Sequence, residues 1–163
     1  MAKIISFHTA CQLSQKLRAE GKKVIFTSGC FDILHIGHVK FLQKAKKWGG
    51  SNSVLLVGIE PDNYVKERKG VERPFFTQIN RLQIVSSLAS VDFAIKLDYS
   101  STEREFIFRH KKLKPSVVVA GSSEDEIIRL IKKESRKAGL KFVHFNKPGK
   151  LDSSTRVISS LPS

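Results

Sequence analysis

Two histidines, His35 and His38, stand three positions apart in the segment GCFDILHIGH (residues 29–38), with Gly37 between them. On a helix, side chains three positions apart share a face, so both imidazoles would project toward one point. The start of a helix favours an anion there, because its first backbone N–H groups lack partners within the helix and its dipole end is positive. Gly37 leaves room for a ligand to approach. The spacing therefore predicts an anion site, suited to a phosphate.

A zinc site is the competing interpretation of the same histidines. Zinc takes three or four protein ligands, and Asp32 is the one further residue nearby that could complete such a set. The other three histidines (His8, His110 and His144) are isolated in the sequence and are interpreted as ordinary surface or core residues. The sequence thus predicts no metal held by the protein itself.

A strand and a helix must position the two histidines. KVIFTSG (residues 23–29) is a β-branched and aromatic run that ends at a glycine, which is typical of a strand. Apolar residues then recur at helical spacing over residues 36–48, and the same spacing predicts an earlier helix at residues 8–18. The histidines therefore lie where a strand turns into a helix.

Strands and helices continue to alternate along the chain. Two more helices are predicted at 80–89 and 124–139, and four more strands at 53–59, 92–97, 116–121 and 140–145. Uninterrupted apolar runs such as SVLLVGI are typical of strands covered on both faces. The sequence predicts a three-layer, Rossmann-like α/β domain with a five-stranded parallel sheet and helices on both faces. Its ligand should lie at the carboxyl ends of the strands, near a switch in strand order.

Length and composition indicate one globular domain over residues 1–163, with a helical extension at 1–22 and a core at 23–160. A chain of 163 residues with 40% hydrophobic residues can bury an ordinary core. No apolar run of 18 residues occurs, and the first twenty residues mix apolar with charged positions, so neither a membrane helix nor a secretory signal is predicted. Two cysteines, Cys11 and Cys30, suit a reducing cytoplasm.

The formal net charge of +14 attracts polyanions, which include nucleotides, sugar phosphates, nucleic acid and anionic membranes. Much of this charge falls in helix-like segments such as residues 40–48 and 129–137, where a solvated outer face explains it. The eleven phenylalanines fall mostly in core-like positions instead of forming a base-stacking surface, so a nucleic-acid partner is not predicted. An inactive nucleotide- or RNA-binding protein with this fold stays an alternative.

GCFDILHIGH resembles the signature of the HxGH nucleotidyltransferase superfamily, in its cytidylyltransferase-like branch. The resemblance extends from residue 23 to residue 160 and includes VGIEPD (57–62), ERKGVERP (67–74), NRLQIVSSLASVD (80–92) and DSSTRVI (152–158). It implies a HUP-type domain whose catalytic core is residues 23–160. It also implies a homodimer. No membrane partner is predicted, because the sequence has no apolar run of 18 residues.

The resemblance implies a reaction as well. Enzymes of this branch join a nucleoside triphosphate to a phosphorylated small molecule and release pyrophosphate. The acceptor's phosphate oxygen attacks the α-phosphorus in line, and it is already anionic, so the reaction needs no general base. Catalysis then rests on positioning and on charge stabilisation. Mg²⁺ would arrive bound to the triphosphate.

The resemblance also implies the site residues, position by position. His35, His38 and Lys69 are implied to be catalytic, with both histidines donating to triphosphate oxygens. Asp32 would orient the turn or help to hold a cation. The residues implied to bind nucleotide or acceptor are Gly29, Cys30, Phe31, Asp32, Gly37, Lys66, Arg68, Arg81, Gly121, Ser153, Ser154 and Thr155.

Arg81 and the last helix each allow two interpretations. Arg81 matches a family arginine and would either bind the acceptor phosphate or form a structural ion pair; Arg73 matches a family arginine too. The hydroxyl residues 153–155 would cap the last helix, whose N-terminus could also hold the β- and γ-phosphates.

Two segments bear on the substrate. GSSED (121–125) stands where members acting on heptose or glycerol phosphates carry an aspartate-containing segment, and NKPGKLDSST (146–155) lacks the arginine of the glycerol-phosphate enzymes. The N-terminal helix leading into the signature resembles the standalone adenylyltransferase module of ADP-heptose synthesis. The sequence therefore predicts an adenylyltransferase that uses Mg-ATP and a sugar 1-phosphate. A cytidylyltransferase for glycerol 3-phosphate or another polyol phosphate is the alternative.

Overall fold

The computed structural model describes residues 2–98, 111–121 and 125–145. The strands within these ranges are β1 (Lys3–Ser6), β2 (Lys23–Gly29), β3 (Ser53–Ile59), β4 (Phe93–Lys96), β5 (Val117–Ala120) and β6 (Lys141–His144). The helices are α1 (Phe7–Ala19), α2 (Ile36–Gly49), α3 (Asp62–Lys69), α4 (Gln78–Ser86) and α5 (Asp125–Lys137). None of these helices is long and apolar enough to cross a membrane.

The sheet has the strand order β1-β4-β3-β2-β5-β6, and every pairing given for it is parallel. From β2 the chain moves outward through β3 and β4, then returns to the other side of β2 at β5. The strand order therefore switches beside β2, and a crevice forms outside the carboxyl ends of β2 and β5. The turn that carries GCFDILHIGH begins at this switch.

Helices cover both faces of the sheet, which confirms the predicted three layers. One core cluster joins α2 and α4 to the sheet through Leu42 and Leu82. The clusters on the other side contain Leu17 of α1 and Ile131 of α5. Consecutive residues of a strand enter opposite clusters, as expected when side chains alternate between the two faces.

The predicted strand count is wrong by one, because β1 adds a sixth strand. Residues 3–6 pair in parallel with β4 at the edge of the sheet, where Ile4 lies opposite Ala94. This strand is four residues long and Ile4 is 48% exposed. Neither its length nor its apolar pattern therefore indicated a strand. The predicted helix follows at once as α1 and buries Phe7. Residues 3–6 thus join the sheet, and Phe7 of α1 joins its core.

Residues 62–69 form helix α3, which the sequence did not predict, although ERKGVERP (67–74) begins within it. Its one buried side contacts the sheet through Tyr64 and Val65, and Gly70 ends it with a φ of 98°. Its last turn is basic, which the helix dipole favours. With only two buried positions in eight residues, the sequence showed no helical repeat.

Candidate functional site

The turn between β2 and α2 is tightly folded around an aromatic ring. Phe31 has a φ of 48°, in the left-handed region that bulky residues rarely adopt, and its side chain is buried. A Cβ on Gly29 would lie 3.1 Å from the Phe31 ring, so the glycine permits the close approach. Backbone held in such a conformation is frequent at binding and catalytic sites.

His35 and His38 cap the start of α2 reciprocally. His35 is the N-cap residue, and its Nδ1 accepts a hydrogen bond from the Gly37 backbone N–H at 3.2 Å. The His38 Nδ1 accepts from the His35 backbone N–H at 3.4 Å. The two ring centroids lie 3.8 Å apart, so the predicted pairing of the imidazoles is present. This capping engages two of the backbone N–H groups at the start of the helix, where the spacing predicts an anion.

These contacts define which nitrogen of each ring is the acceptor. A ring nitrogen that accepts a hydrogen bond carries no proton, so the neutral form of each ring must be protonated at Nε2. Nε2 lies on the side of the imidazole away from Nδ1. Each histidine therefore presents an N–H donor on the side away from the backbone it caps.

Asp32 organises the loop that faces this turn. Its carboxylate is buried and accepts from Arg73 Nη1 at 2.6 Å. It also accepts from the backbone N–H groups of Phe75 and Phe76, at 2.8 and 3.1 Å. Of the two roles implied for Asp32, this geometry matches orientation, since both oxygens are engaged by the protein.

Arg81 is fully buried beneath the turn, with 0% exposure. Its guanidinium donates to the backbone oxygens of Cys30, Glu60 and Phe76, and to the Asp62 carboxylate at 2.7 Å. The structural ion pair, one of the two interpretations of Arg81, is therefore present. Its position argues against direct contact with an acceptor phosphate, because its donors hold the ends of β2 and β3 together.

The basic residues of α3 lie at different distances from the turn. Lys69 is close enough to Cys30 for its charge to lower the thiol's pKa. Arg68 donates to Glu60 Oε1 at 3.4 Å and lies 5.2 Å from the Tyr64 ring centroid. Lys66 is exposed on the same helix. Of the three, Lys69 is the one whose charge acts on the pKa of Cys30.

The Cys30 thiol is buried within the turn. Burial is the largest influence and raises its pKa, while the positive charges of Lys69 and Arg81 act in the opposite direction. The net shift is upward, so Cys30 stays a neutral thiol at neutral pH. The backbone oxygen of Cys30, which accepts a hydrogen bond from the Arg81 guanidinium, is the group through which Cys30 holds the turn.

Gly121 lies at the end of β5, beside the switch in strand order. A Cβ on Gly121 would come within 2.6 Å of the Phe41 ring, so α2 can pack against this strand end only if the residue lacks a side chain. The close approach of helix and strand explains this glycine without a ligand.

Sequence reasoning missed two buried polar residues near the crevice. Glu60 follows β3 directly, and its backbone N–H donates to Gly29 O at 3.1 Å. Gln78 donates from Nε2 to Ile59 O and Leu97 O, at 2.9 and 2.6 Å, and so joins the ends of β3 and β4. A polar residue directly after an apolar strand was the available signal for Glu60. Gln78 gave none, because its partners are backbone oxygens of strands far along the chain.

The predicted terminal segment lies outside the described residues, as do Ser122 and Ser123. Ser153, Ser154 and Thr155 belong to it, so their predicted part in phosphate binding stays a prediction. Within the described ranges, no group of three or more His, Cys, Asp or Glu side chains is placed to hold a metal ion.

Comparison with known proteins gives a family match over most of the chain. The family model described as cytidylyltransferase-like matches residues 26–160. The match begins inside β2 and includes the histidine turn, α3 and the segment joined to Asp32. It confirms the resemblance predicted from the sequence.

The curated relatives are longer proteins. The bifunctional protein HldE of Aliarcobacter butzleri is 43% identical over 118 residues, which are 72% of this chain and 23% of the relative. The chain therefore spans about a quarter of the length of such relatives.

Solved structures share the fold. The lipopolysaccharide core biosynthesis protein of Thermoplasma volcanium is 28% identical, with a TM-score of 0.61 over 78% of this chain and 98% of that one. The pantoate-beta-alanine ligase of Francisella tularensis is 18% identical, with a TM-score of 0.69 over 99% of this chain and 74% of that one. The second likeness shows the fold alone. Together they confirm the predicted HUP-type α/β architecture.

Proposed function

The chain belongs to the cytidylyltransferase-like family, and we propose that it transfers a nucleoside monophosphate from a nucleoside triphosphate to a phosphorylated small molecule, releasing pyrophosphate. The observation that carries the proposal is the reciprocal capping by His35 and His38 at the switch in strand order. It fixes two neighbouring N–H donors where a parallel sheet binds its ligand.

The two histidines would act as donors to phosphate oxygens. Each ring has its Nδ1 engaged by backbone, which leaves Nε2–H as the donor of the neutral ring. Donors that are already oriented stabilise charge that develops at the α-phosphate and the leaving pyrophosphate without reorganising during the reaction. The acceptor's phosphate oxygen attacks as an anion, so neither histidine has to remove a proton.

Positive charge beside the turn would support the same step. Lys69 would neutralise charge on the triphosphate, and its influence on Cys30 supports a place at the crevice. Arg68 is the second candidate, and Lys66, one turn before Lys69 in α3, is the third. The Asp32 and Arg81 contacts would act indirectly, since they hold the backbone of the turn and of the opposing segment in place.

Mg²⁺ would enter as part of the metal–nucleotide complex. The described residues form no metal cage, and both Asp32 oxygens are engaged by Arg73 and by backbone N–H groups. Magnesium often keeps its waters and binds mainly through substrate phosphates. The described residues thus do not fit a resident metal, and the mechanism assigns no step to one.

We propose ATP as the nucleotide and a sugar 1-phosphate, of the heptose kind, as the acceptor. The 43% identity with the bifunctional protein HldE supports this choice, together with the resemblance to the adenylyltransferase module of ADP-heptose synthesis. CTP with a polyol phosphate is the second candidate, and the family description supports it.

A pyrophosphate-release screen tests the proposal. ATP and CTP would each be offered with Mg²⁺ and a panel of sugar 1-phosphates and polyol phosphates. We expect release with ATP and a heptose 1-phosphate, and a thermal shift with ATP, since a ligand at 100 times its Kd stabilises by about 2.7 kcal/mol. Release with CTP alone would exclude the adenylyltransferase. No release with any pair would contradict a nucleotidyltransferase.

A homodimer and a cytoplasmic location complete the proposal. The residues from Val71 to Ile79 expose four large apolar side chains beside the crevice, and such a patch supports an interface with a second copy. The two cysteines form no disulfide, which supports a reducing compartment. Sedimentation of the wild type and of a Phe75→Ser/Ile79→Ser variant tests the dimer. We expect the variant to be monomeric; a monomeric wild type would contradict it.

A further inference from the structure

The amino end of the sheet, opposite the histidine turn, carries a dense group of cations. In a parallel sheet every helix returns the chain to that end, so helix C-termini and strand starts meet there. Contacts join them: Arg18 Nη1 donates to Lys114 O at 3.0 Å, and Asn52 Nδ2 donates to Gly21 O at 3.2 Å. We call this the amino-edge surface; its exposed cations are Arg18, Lys22, Lys23, Lys47, Lys114, Arg136, Lys137 and Lys141.

Few acidic groups balance these cations. The carboxylates at this end of the described chain are Glu20, Asp92 and Glu134. Asp92 accepts from Lys46 at 2.6 Å, and Glu134 accepts from Lys137 at 2.9 Å. Asp92 is thus paired with a lysine outside the group of eight, and Glu134 balances one cation within it. The amino-edge surface is left with a strong positive field, which attracts polyanions.

An aromatic ring lies among the cations. Trp48, near the end of α2, is 36% exposed. The Nζ atoms of Lys23 and Lys141, which open β2 and β6, lie 5.5 and 5.2 Å from its ring centroid. Both ammonium groups are within cation–π range. An indole with two cations beside it offers a base a ring to stack on and phosphate partners next to it.

We propose that the amino-edge surface binds single-stranded nucleic acid. An unpaired base would stack on Trp48, and Lys23 and Lys141 would move from the ring to the flanking phosphates. Stacking aromatics combined with a cationic path are how proteins bind single strands without reading their sequence. The surface lies at the opposite end of the strands from the histidine turn, so binding there is independent of the transfer reaction.

An anionic membrane fits this surface less well. Binding to a membrane surface normally needs an amphipathic helix with its apolar side available. The apolar side of α5 is already buried, because Ile131 packs against Val118 and Ala120. Among the described residues, Trp48 is the one exposed large apolar side chain at this end; the others lie in β1, at Ile36 and between Val71 and Ile79.

Fluorescence gives a direct test, because Trp48 is the only tryptophan of the chain. The wild type would be titrated with a uridine oligonucleotide at several salt concentrations. We expect quenching of Trp48, and an affinity whose logarithm falls with log salt at about −0.7 per phosphate contact. A Lys23→Glu/Lys141→Glu variant should bind about tenfold or more weakly. Trp48→Ala, followed with a labelled oligonucleotide, should also lose about tenfold.

A matched control separates a site from general attraction. Lys40→Glu/Lys96→Glu makes the same charge change with two exposed lysines outside the amino-edge surface. It should keep its affinity within about threefold. Thermal melting would verify that each variant is folded, and Lys23→Gln/Lys141→Gln replaces the first variant if that one is not. Equal losses in site and control variants would overturn the proposal. So would binding to anionic vesicles without binding to the oligonucleotide, or no quenching at low salt.

Discussion

The Arg73 guanidinium meets the Asp32 carboxylate at 2.6 Å across 41 positions of chain. Asp32 belongs to the histidine turn and Arg73 to the segment after α3, so the contact joins the two sides of the crevice. Both side chains are largely buried, at 11% and 2% exposure. The same carboxylate holds the Phe75 and Phe76 N–H groups, and one acid thus orders the whole facing segment.

Replacing Asp32 by Asn should therefore destabilise the fold. The change leaves the Arg73 charge buried without its partner, which costs about 3 to 5 kcal/mol when a buried pair is broken. Urea unfolding measures this loss. Glu72→Gln is the control, because it removes an exposed acid from the same segment and should change stability by less than about 0.5 kcal/mol. Similar values for the two variants would contradict the organising role of Asp32.

Arg81→Lys should destabilise the protein even though it keeps the charge. A lysine cannot span the three backbone oxygens and the carboxylate that Arg81 reaches, so buried acceptors lose their partners. The expected loss is about 3 kcal/mol. Arg18→Lys, at an exposed arginine with one backbone partner, is the control and should cost less than about 1 kcal/mol.

An Arg81→Lys variant that loses substrate affinity but not stability would indicate a substrate-binding role for Arg81. A variant with wild-type stability but a raised KM for the acceptor phosphate would favour the interpretation of Arg81 as an acceptor ligand. It would argue against the structural ion pair as the main role.

Lys69 should influence how Cys30 titrates. Burial raises the pKa of Cys30, and the Lys69 charge lowers it, so Lys69→Met should raise that pKa further. The rate of thiol alkylation as a function of pH, in a Cys11→Ser background, follows Cys30 alone, because Cys30 is then the only cysteine. Lys66→Met is the control and should leave the curve in place. An unchanged curve in Lys69→Met would contradict the position of Lys69 near Cys30. It would also remove the support for a role of Lys69 in the reaction.

Apolar patterns explain which elements the sequence could predict. β3 was predicted at its observed bounds, because its run SVLLVGI is buried on both faces and bounded by polar residues. β1 was missed because a short, exposed edge strand owes its structure to pairing with β4, a contact distant in sequence. α3 was missed because only Tyr64 and Val65 bury a face.

The candidate site shows the same division. The spacing of His35 and His38 predicted their pairing, since helix geometry is local. Their reciprocal capping depends on ring orientation, which spacing does not determine. The choice between the two roles of Arg81 depends on whether its side chain is buried. That burial results from the packing of β2, β3 and α4, which are distant from one another in sequence. The sequence therefore could not predict those residue roles that depend on contacts between positions distant in the chain.

We propose that the His35 and His38 Nε2–H groups stabilise the nucleotidyl transfer. Asn in place of either histidine keeps a side-chain acceptor for the capped backbone N–H and removes the distant donor. His35→Asn and His38→Asn should therefore keep stability within about 1 kcal/mol of the wild type. Each should lose about 10²-fold in turnover. His8→Asn, at an exposed histidine of α1, is the control and should change neither.

The most direct measurement is pyrophosphate release from Mg-ATP and a heptose 1-phosphate by the wild type and the doubly substituted His35→Asn/His38→Asn protein. We expect steady release by the wild type and the His8→Asn control, and a fall of about 10²-fold or more in the folded double variant. Wild-type release by that double variant would contradict a role of the two histidines in the transfer.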